Sequence, residues 1–162
     1  MNALIYGDSQ SGVTGRRLAE RLIKDGVTVK RVTKSGKSTK WLSSYAKTAL
    51  PGTYDEVFLF TGGNDSGVQG DSLRKLLQHF ASSKRVFYFG PPPATLITNM
   101  SLARKVWGSA SSPSKFFPQT VTKRETKNAA YRGIAQEEGA TALDFRHAPV
   151  THAVTQPSGV VY

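Results

Sequence analysis

A chain of 162 residues, 38% hydrophobic and 20% charged, is long enough for one domain with a sizeable core, and its lack of cysteine excludes disulfides, thiolate nucleophiles and cysteine metal sites. No apolar run is long enough to span a bilayer, and the first residues lack the basic start, long apolar stretch and cleavage site of a secretory signal, so a soluble, cytoplasmic or virion-associated protein is expected. The formal net charge of +11, from 22 basic against 11 acidic residues, implies attraction to polyanions: nucleic acid, an anionic cell-wall polymer or an acidic protein surface.

In chain order, Ala3 to Tyr6 is a short apolar run of the kind that forms a strand buried on both faces, and glycines at 7, 12 and 15 interrupt it. Arg16 to Asp25 then places Leu18, Ala19, Leu22 and Ile23 on one face, as a helix covering a sheet requires, with Gly26 as its stop. Val27 to Val32 is β-branched and reads as a second strand. Lys34 to Thr39 is a loop by composition, followed by a short helix from about Lys40 to Ala49 that Pro51 and Gly52 end.

Glu56 to Phe60 is the clearest buried strand, and it runs into Thr61-Gly62-Gly63-Asn64-Asp65. Gly70 and Asp71 open a helix whose Leu73, Leu76, Leu77 and Phe80 recur at helical spacing. Arg85 to Phe89 is a fourth strand, broken by Gly90 and three prolines. Beyond it, a helical piece is expected around Leu102 to Trp107 and a lid-like loop over Gly108 to Pro113. Thr120 to Glu138 is helical, with Ala129, Ala130, Ile134 and Ala135 on one side, and Ala140 to Phe145 is a fifth strand. Strands alternating with helices of these lengths predict an α/β domain: three α/β/α layers around a five-stranded parallel sheet, in the flavodoxin-like order 2-1-3-4-5.

Polar clusters follow four of these strands: Gly7-Asp8-Ser9, Ser35-Gly36-Lys37, Gly62-Gly63-Asn64-Asp65 and Asp144-Phe145-Arg146-His147. In open α/β sheets ligands bind outside the carboxyl ends of the strands, so these residues sit where chemistry is expected. Ser9 and Ser11 also read as plain helix caps, Gly36 as a turn glycine and Asn64 as an Asx turn. In this order and at about these spacings, the four blocks resemble those of the SGNH (GDSL-like) hydrolases, a family of serine esterases and lipases. The resemblance covers the whole chain, read as a single domain over 1–162.

It implies an esterase or carbohydrate deacetylase that works through an acyl-enzyme on Ser9, with ester or acetylated carbohydrate as substrate; no cofactor and no metal are expected. Ser9 matches the family's nucleophile. Gly36 matches its oxyanion glycine and Asn64 its side-chain amide donor, so that with the Ser9 N–H three donors face the developing oxyanion. Asp144 and His147 match the spacing of its Asp-x-x-His block, in which the histidine is the base and the aspartate orients it. That block departs from the pattern, because Asp144 directly ends the fifth strand and the family's pair normally follows some residues later. Three assignments therefore stay open: Asp144 with His147, His152 with another partner, or a base beyond Tyr162 or absent. His79, off the apolar stripe of its helix, reads as a surface residue.

Two other functions fit the same residues. A chain lacking the family's last block would be a catalytically impaired binding module or virion structural module on the same fold. Lys30, Arg31, Lys34, Lys37, Lys40 and Lys47 form a basic run with no acidic residue and with Trp41 and Tyr45 between them, so the Lys30 to Lys47 face is a candidate nucleic-acid surface. For a hydrolase, the basic surface around Lys34, Lys37 and Lys40 suits an anionic polysaccharide such as cell wall, and a cysteine-free basic domain of this kind suits a phage lysin or virion protein.

Overall fold

The computed structural model describes residues 1–91 and 118–143, apart from the side chains of 13, 118–122 and 124. The described elements are β1 (Asn2–Gly7), α1 (Ser9–Lys24), β2 (Thr28–Thr33), α2 (Thr39–Ala49), β3 (Glu56–Phe60), α3 (Gly70–His79), β4 (Arg85–Phe89), α4 (Pro118–Glu137) and β5 (Thr141–Leu143). All five strands are parallel, in the order β2-β1-β3-β4-β5 that the sequence predicts. One compact unit comprises Met1–Pro91 with Lys127–Asp144 and contains the whole sheet; Pro92–Thr126 with Phe145–Tyr162 forms the other, which takes in the first turns of α4. The expected helix at Leu102 to Trp107 and the loop at Gly108 to Pro113 lie outside the described residues.

Successive residues of a strand point to opposite faces, and here the alternation separates two cores. Leu4, Tyr6, Val57, Leu59 and Tyr88 pack with Leu42 and Ala46 of α2, Leu73, Leu76 and Leu77 of α3, and Tyr131 and Ala135 of α4. Ala3, Ile5, Phe58, Phe60 and Phe89 face the other way, onto Ala19 of α1 and Val27. Helices thus cover both faces, which makes the three-layer architecture. The central strands β1 and β3 are buried on both sides, whereas β2 is an edge strand whose Lys30 and Arg31 are exposed, a charge placement that discourages pairing with another chain.

Two expectations are corrected. The first helix begins at Ser9 rather than Arg16, because Gly12 and Gly15 are inside it and serve packing: a Cβ at Gly15 would lie 2.7 Å from Ile5 Cγ2, and one at Gly12 3.3 Å from Thr33 Cγ2. These glycines let α1 lie close on the sheet. Among the described side chains of α4 the buried ones are Asn128, Tyr131 and Ala135, while Ala129 and Ala130 are exposed; alanine is too weakly hydrophobic to choose a helix face, and Tyr131 decides it.

Candidate active site

The register of the central strands brings three of the predicted blocks to one edge. Gly7 pairs with Thr33 on one side and with Phe60 on the other, so Asp8-Ser9, Lys34 to Lys37 and Thr61 to Asn64 all leave the sheet at the same level. The junction is tight: Asp8 N–H donates to Phe60 O at 2.9 Å and Lys34 N–H to Gly7 O at 2.8 Å. Only glycine fits at position 7, where a Cβ would stand 1.9 Å from Phe60 O.

Asp8 caps α1, its Oδ1 accepting from Gln10 N–H at 3.0 Å, and its backbone carbonyl takes both Ser11 N–H at 3.1 Å and Ser11 Oγ–H at 2.7 Å. Ser11 is fully buried and its hydroxyl also reaches Thr33 Oγ1 at 3.0 Å, so Ser11 is structural. Ser9 differs in every respect. It is exposed, it is the first residue of α1, and neither its N–H nor its hydroxyl has a partner among the described residues. The positive end of a 16-residue helix therefore presents one free N–H beside one free hydroxyl.

The first turn of α2 makes the comparison sharper. Its leading amides are all taken: Thr39 N–H by Asp65 Oδ1 at 2.8 Å, Lys40 N–H by Gln69 Oε1 at 2.8 Å, and Trp41 N–H by Ser38 Oγ at 3.3 Å. That helix end is saturated, so the Ser9 amide is the available one of the two.

Gly36 lies in a turn closed by Lys37 N–H to Lys34 O at 3.3 Å, with φ of +72°, the left-handed conformation that glycine adopts without penalty. Its own N–H has no acceptor among the described residues. Asn64 is exposed and its Nδ2 donates to Lys37 O at 3.2 Å, which ties it to the Gly36 turn and leaves the second amide hydrogen unspent. Gly63, next to Asn64, lies against Asp8: a Cβ there would be 3.2 Å from Asp8 Oδ2. The structure thus gathers the Ser9, Gly36 and Asn64 blocks at the carboxyl edge and joins them by named contacts.

The sequence assigned no role to the buried group that holds these loops. Asp65 accepts from Thr39 N–H, from Thr39 Oγ1 at 2.5 Å and from Tyr131 Oη at 2.6 Å, all out of solvent. Because Thr39 spends its hydroxyl hydrogen on the carboxylate, Thr61 Oγ1 is the donor in the 2.7 Å contact between the two hydroxyls. Tyr131 Oη also accepts from Gln69 N–H at 2.8 Å, and Lys127 Nζ donates to Asp65 O at 2.7 Å. One carboxylate thereby fastens the β2–α2 loop, the β3–α3 loop and α4 together. The only signal for it in the sequence is its place directly after Gly62-Gly63-Asn64.

Burial pushes the Asp8 carboxyl above its ordinary range, with a smaller push from the Asp65 charge; the backbone N–H groups of Gln10 and Gly63 oppose it. Its Oδ2 is buried with no partner of hydrogen-bond geometry. Burial, then the bond to Asp65, likewise raises the Tyr131 phenol, keeping it a neutral donor.

Asp144, His147 and His152 lie outside the described residues, so the site as described contains the nucleophile and donor blocks without the base. His79, the remaining histidine, is half-buried at the far end of α3, its Nε2 3.0 Å from Leu50 O and its ring edge-on to Phe80. It belongs to the amino edge of the sheet, opposite Ser9.

No family model and no curated protein matches the sequence. Solved structures do. An acetylxylan esterase from Geobacillus stearothermophilus superposes with a TM-score of 0.62 at 13% identity, over 88% of this chain and 75% of that one. A phospholipase A1 from Streptomyces albidoflavus gives 0.62 at 16% identity, over 88% and 78%. A protein described as a GDSL-like lipase from Parabacteroides merdae gives 0.60 at 17% identity, over 98% and 86%. These neighbours are described as an esterase, a phospholipase and a GDSL-like lipase, and at these identities what the chain shares with them is the fold.

Proposed function

We propose that this chain is a serine esterase of the SGNH type. The observation that carries the proposal is the free Ser9 hydroxyl and free Ser9 N–H at the start of α1, level with the free Gly36 N–H and the half-used Asn64 amide. Acyl transfer needs a nucleophilic hydroxyl beside donors aimed at the oxygen that becomes negative.

Ser9 Oγ attacks the ester carbonyl carbon and gives its proton to a base. The carbonyl oxygen turns into an oxyanion held by the Ser9 and Gly36 N–H groups and by Asn64 Nδ2. Collapse expels the alcohol, which takes the proton from the base, and leaves Ser9 acylated; water then repeats the sequence and frees the acid. For the base we assign His147, oriented by Asp144. Catalytic mutants of the Geobacillus acetylxylan esterase replace a histidine and an aspartate three positions before it, the spacing that Asp144 and His147 have here. Deacetylation of a carbohydrate is the reaction we favour within this class, in keeping with the basic surface beside the site.

Wild-type enzyme is expected to hydrolyse p-nitrophenyl acetate and to be labelled by a fluorophosphonate, both through Ser9. Equal turnover by Ser9→Ala, or a folded chain that leaves Ser9 unlabelled, would reject the esterase and return the chain to a binding or virion module on this fold.

A further inference from the structure

The basic run between Lys30 and Lys47 becomes a defined surface in the structure. Trp41 and Tyr45, one helical turn apart on α2, stack with ring centroids 5.1 Å apart and planes at 15°, and Tyr45 continues the stack to Tyr6 of β1 at 6.3 Å. Tyr6 is buried and anchored by its hydroxyl, which donates to Leu42 O at 2.8 Å. The ladder therefore runs outward from the strand that delivers Ser9, ending on Trp41 with 37% of its surface exposed. Lys34 Nζ lies 4.4 Å from the centre of the Tyr45 ring and Lys37 Nζ 5.1 Å from that of Trp41. Such cation–π contacts hold the two ammonium groups on the platform while leaving their hydrogens to other acceptors.

Two observations say what occupies this face. The first is charge. Ion pairs form elsewhere, at Arg16–Glu20, Arg21–Asp25, Arg74 with Glu137 and Glu138, Lys84–Asp55 and Arg85–Glu56. No carboxylate pairs with Lys34, Lys37 or Lys40 among the described residues, so the face is complementary to an anion. The second is continuity with the candidate site. Lys34 N–H is bonded to Gly7 O, and Lys37 O accepts from Asn64 Nδ2. The two residues whose ammonium groups rest on the rings thus flank the Gly36 turn and join the blocks carrying Ser9 and Asn64.

We infer that the Lys34, Lys37, Trp41 and Tyr45 face is the subsite for the alcohol portion of the substrate, and that this portion is an anionic glycan. The inference rests on the esterase reading above. The C–H groups of a sugar ring pack along the exposed edge of Trp41, and its carboxylate or phosphate groups accept from the two ammonium groups. The ester to be cleaved then lies toward Ser9: the acyl carbon leaves a glycan oxygen for Ser9 Oγ, the glycan oxygen takes the proton, and water releases the acid. A nucleic acid matches the charge and the stacking, but its backbone offers phosphodiesters rather than acyl groups. An anionic lipid surface calls for apolar side chains free to insert, and here the exposed ring is stacked on Tyr45 beneath a lysine.

The test uses the full chain with three esters, p-nitrophenyl acetate, O-acetylated polygalacturonate and neutral O-acetylated xylan, and compares wild type with Lys34→Glu/Lys37→Glu and with Trp41→Ala. The ratio of kcat/KM on acetylated polygalacturonate to that on p-nitrophenyl acetate is expected to fall at least tenfold in both variants, with no such fall in the ratio for xylan in the charge-reversal variant. In parallel, calorimetry on Ser9→Ala with unacetylated polygalacturonate is expected to show binding that weakens with salt and is lost with the two lysines. Unchanged ratios overturn the inference, as does ester turnover without polygalacturonate binding. Preferential binding of a single-stranded oligonucleotide or of phosphatidylglycerol vesicles overturns it too, and assigns the face to that partner. Absence of all ester turnover with polygalacturonate still bound overturns the esterase and leaves the glycan face standing.

Discussion

Ser9 and its neighbours divide the work of one turn of chain by exposure. Ser11, two residues on, is buried and its hydroxyl is committed to Asp8 O and Thr33 Oγ1, whereas Ser9 is exposed and has no partner among the described residues. A hydroxyl that stabilises a fold is used up by it; one that does chemistry has to be spare. Asn64 is half spare in the same sense, and removing an oxyanion donor typically lowers kcat by about 10²–10³. Asn64→Ala is accordingly expected to lose about that factor on p-nitrophenyl acetate with KM little changed; a loss under about threefold would make Asn64 a loop tie to Lys37 and nothing more. Asp8 carries a prediction of a different kind. Because burial raises its folded-state pKa above the unfolded value, the folded state binds the proton more tightly. The resulting stability is fully present below the unfolded carboxylate pKa, about 3.9, and is lost as pH rises through the folded value. Asparagine caps helices about as well as aspartate and has no proton to lose. Relative to wild type, Asp8→Asn should therefore gain Tm between pH 4 and pH 7, and a difference that stays constant over that range would show that the Asp8 charge carries no such cost.

The elements were legible where a single local signal decides them. β3 and β4 match the expected Glu56 to Phe60 and Arg85 to Phe89 to the residue, because each is a short apolar run with glycine or proline close behind it. The start of α1 was hidden by Gly12 and Gly15, which look like breakers and are in fact packing positions against β1 and β2, a relation that only the assembled sheet reveals. The candidate site divides the same way. Ser9, Gly36 and Asn64 each follow a strand end and could be read one block at a time. The carboxylate that fixes their loops could not, since Asp65 bonds to residues 26 and 66 positions away in the chain. Tyr131 is the long-range member of that group, and its removal is the direct test of what it holds. Tyr131→Phe leaves the Gln69 N–H without its acceptor and takes one donor from Asp65, and an unsatisfied buried group costs about 1–3 kcal/mol. Urea unfolding of Tyr131→Phe should show a loss in that range. An unchanged midpoint would mean that the Tyr131 hydroxyl adds nothing to the apolar contacts and the other polar ties that hold α4.

For the molecule as a whole, the excess of basic residues is less evenly spread than the net charge of +11 conveys. Asp8 and Asp65 are buried, and Glu20, Asp25, Asp55, Glu56, Glu137 and Glu138 are engaged in ion pairs, so few carboxylates are left to offset the cations of the β2–α2 segment. Lys34, Lys37 and Lys40 thus have no paired carboxylate among the described residues, and Lys34 and Lys37 are bonded through their backbones to the blocks that carry Ser9 and Asn64. The field of such unpaired cations raises the local concentration and the capture rate of an oppositely charged substrate by about 10–10³-fold, and salt removes it, the screening length being about 10 Å at 0.1 M. Encounter with a neutral ester has no such term. Raising ionic strength from 0.05 to 0.5 M should therefore lower kcat/KM on an anionic glycan ester by about tenfold through KM, while the value on p-nitrophenyl acetate moves by less than about twofold. Under the proposed mechanism both esters meet the same Ser9, so any general effect of salt on folding or on the base would lower the two together. A parallel fall would place the salt sensitivity in the catalytic groups and deprive the basic face of any part in substrate capture.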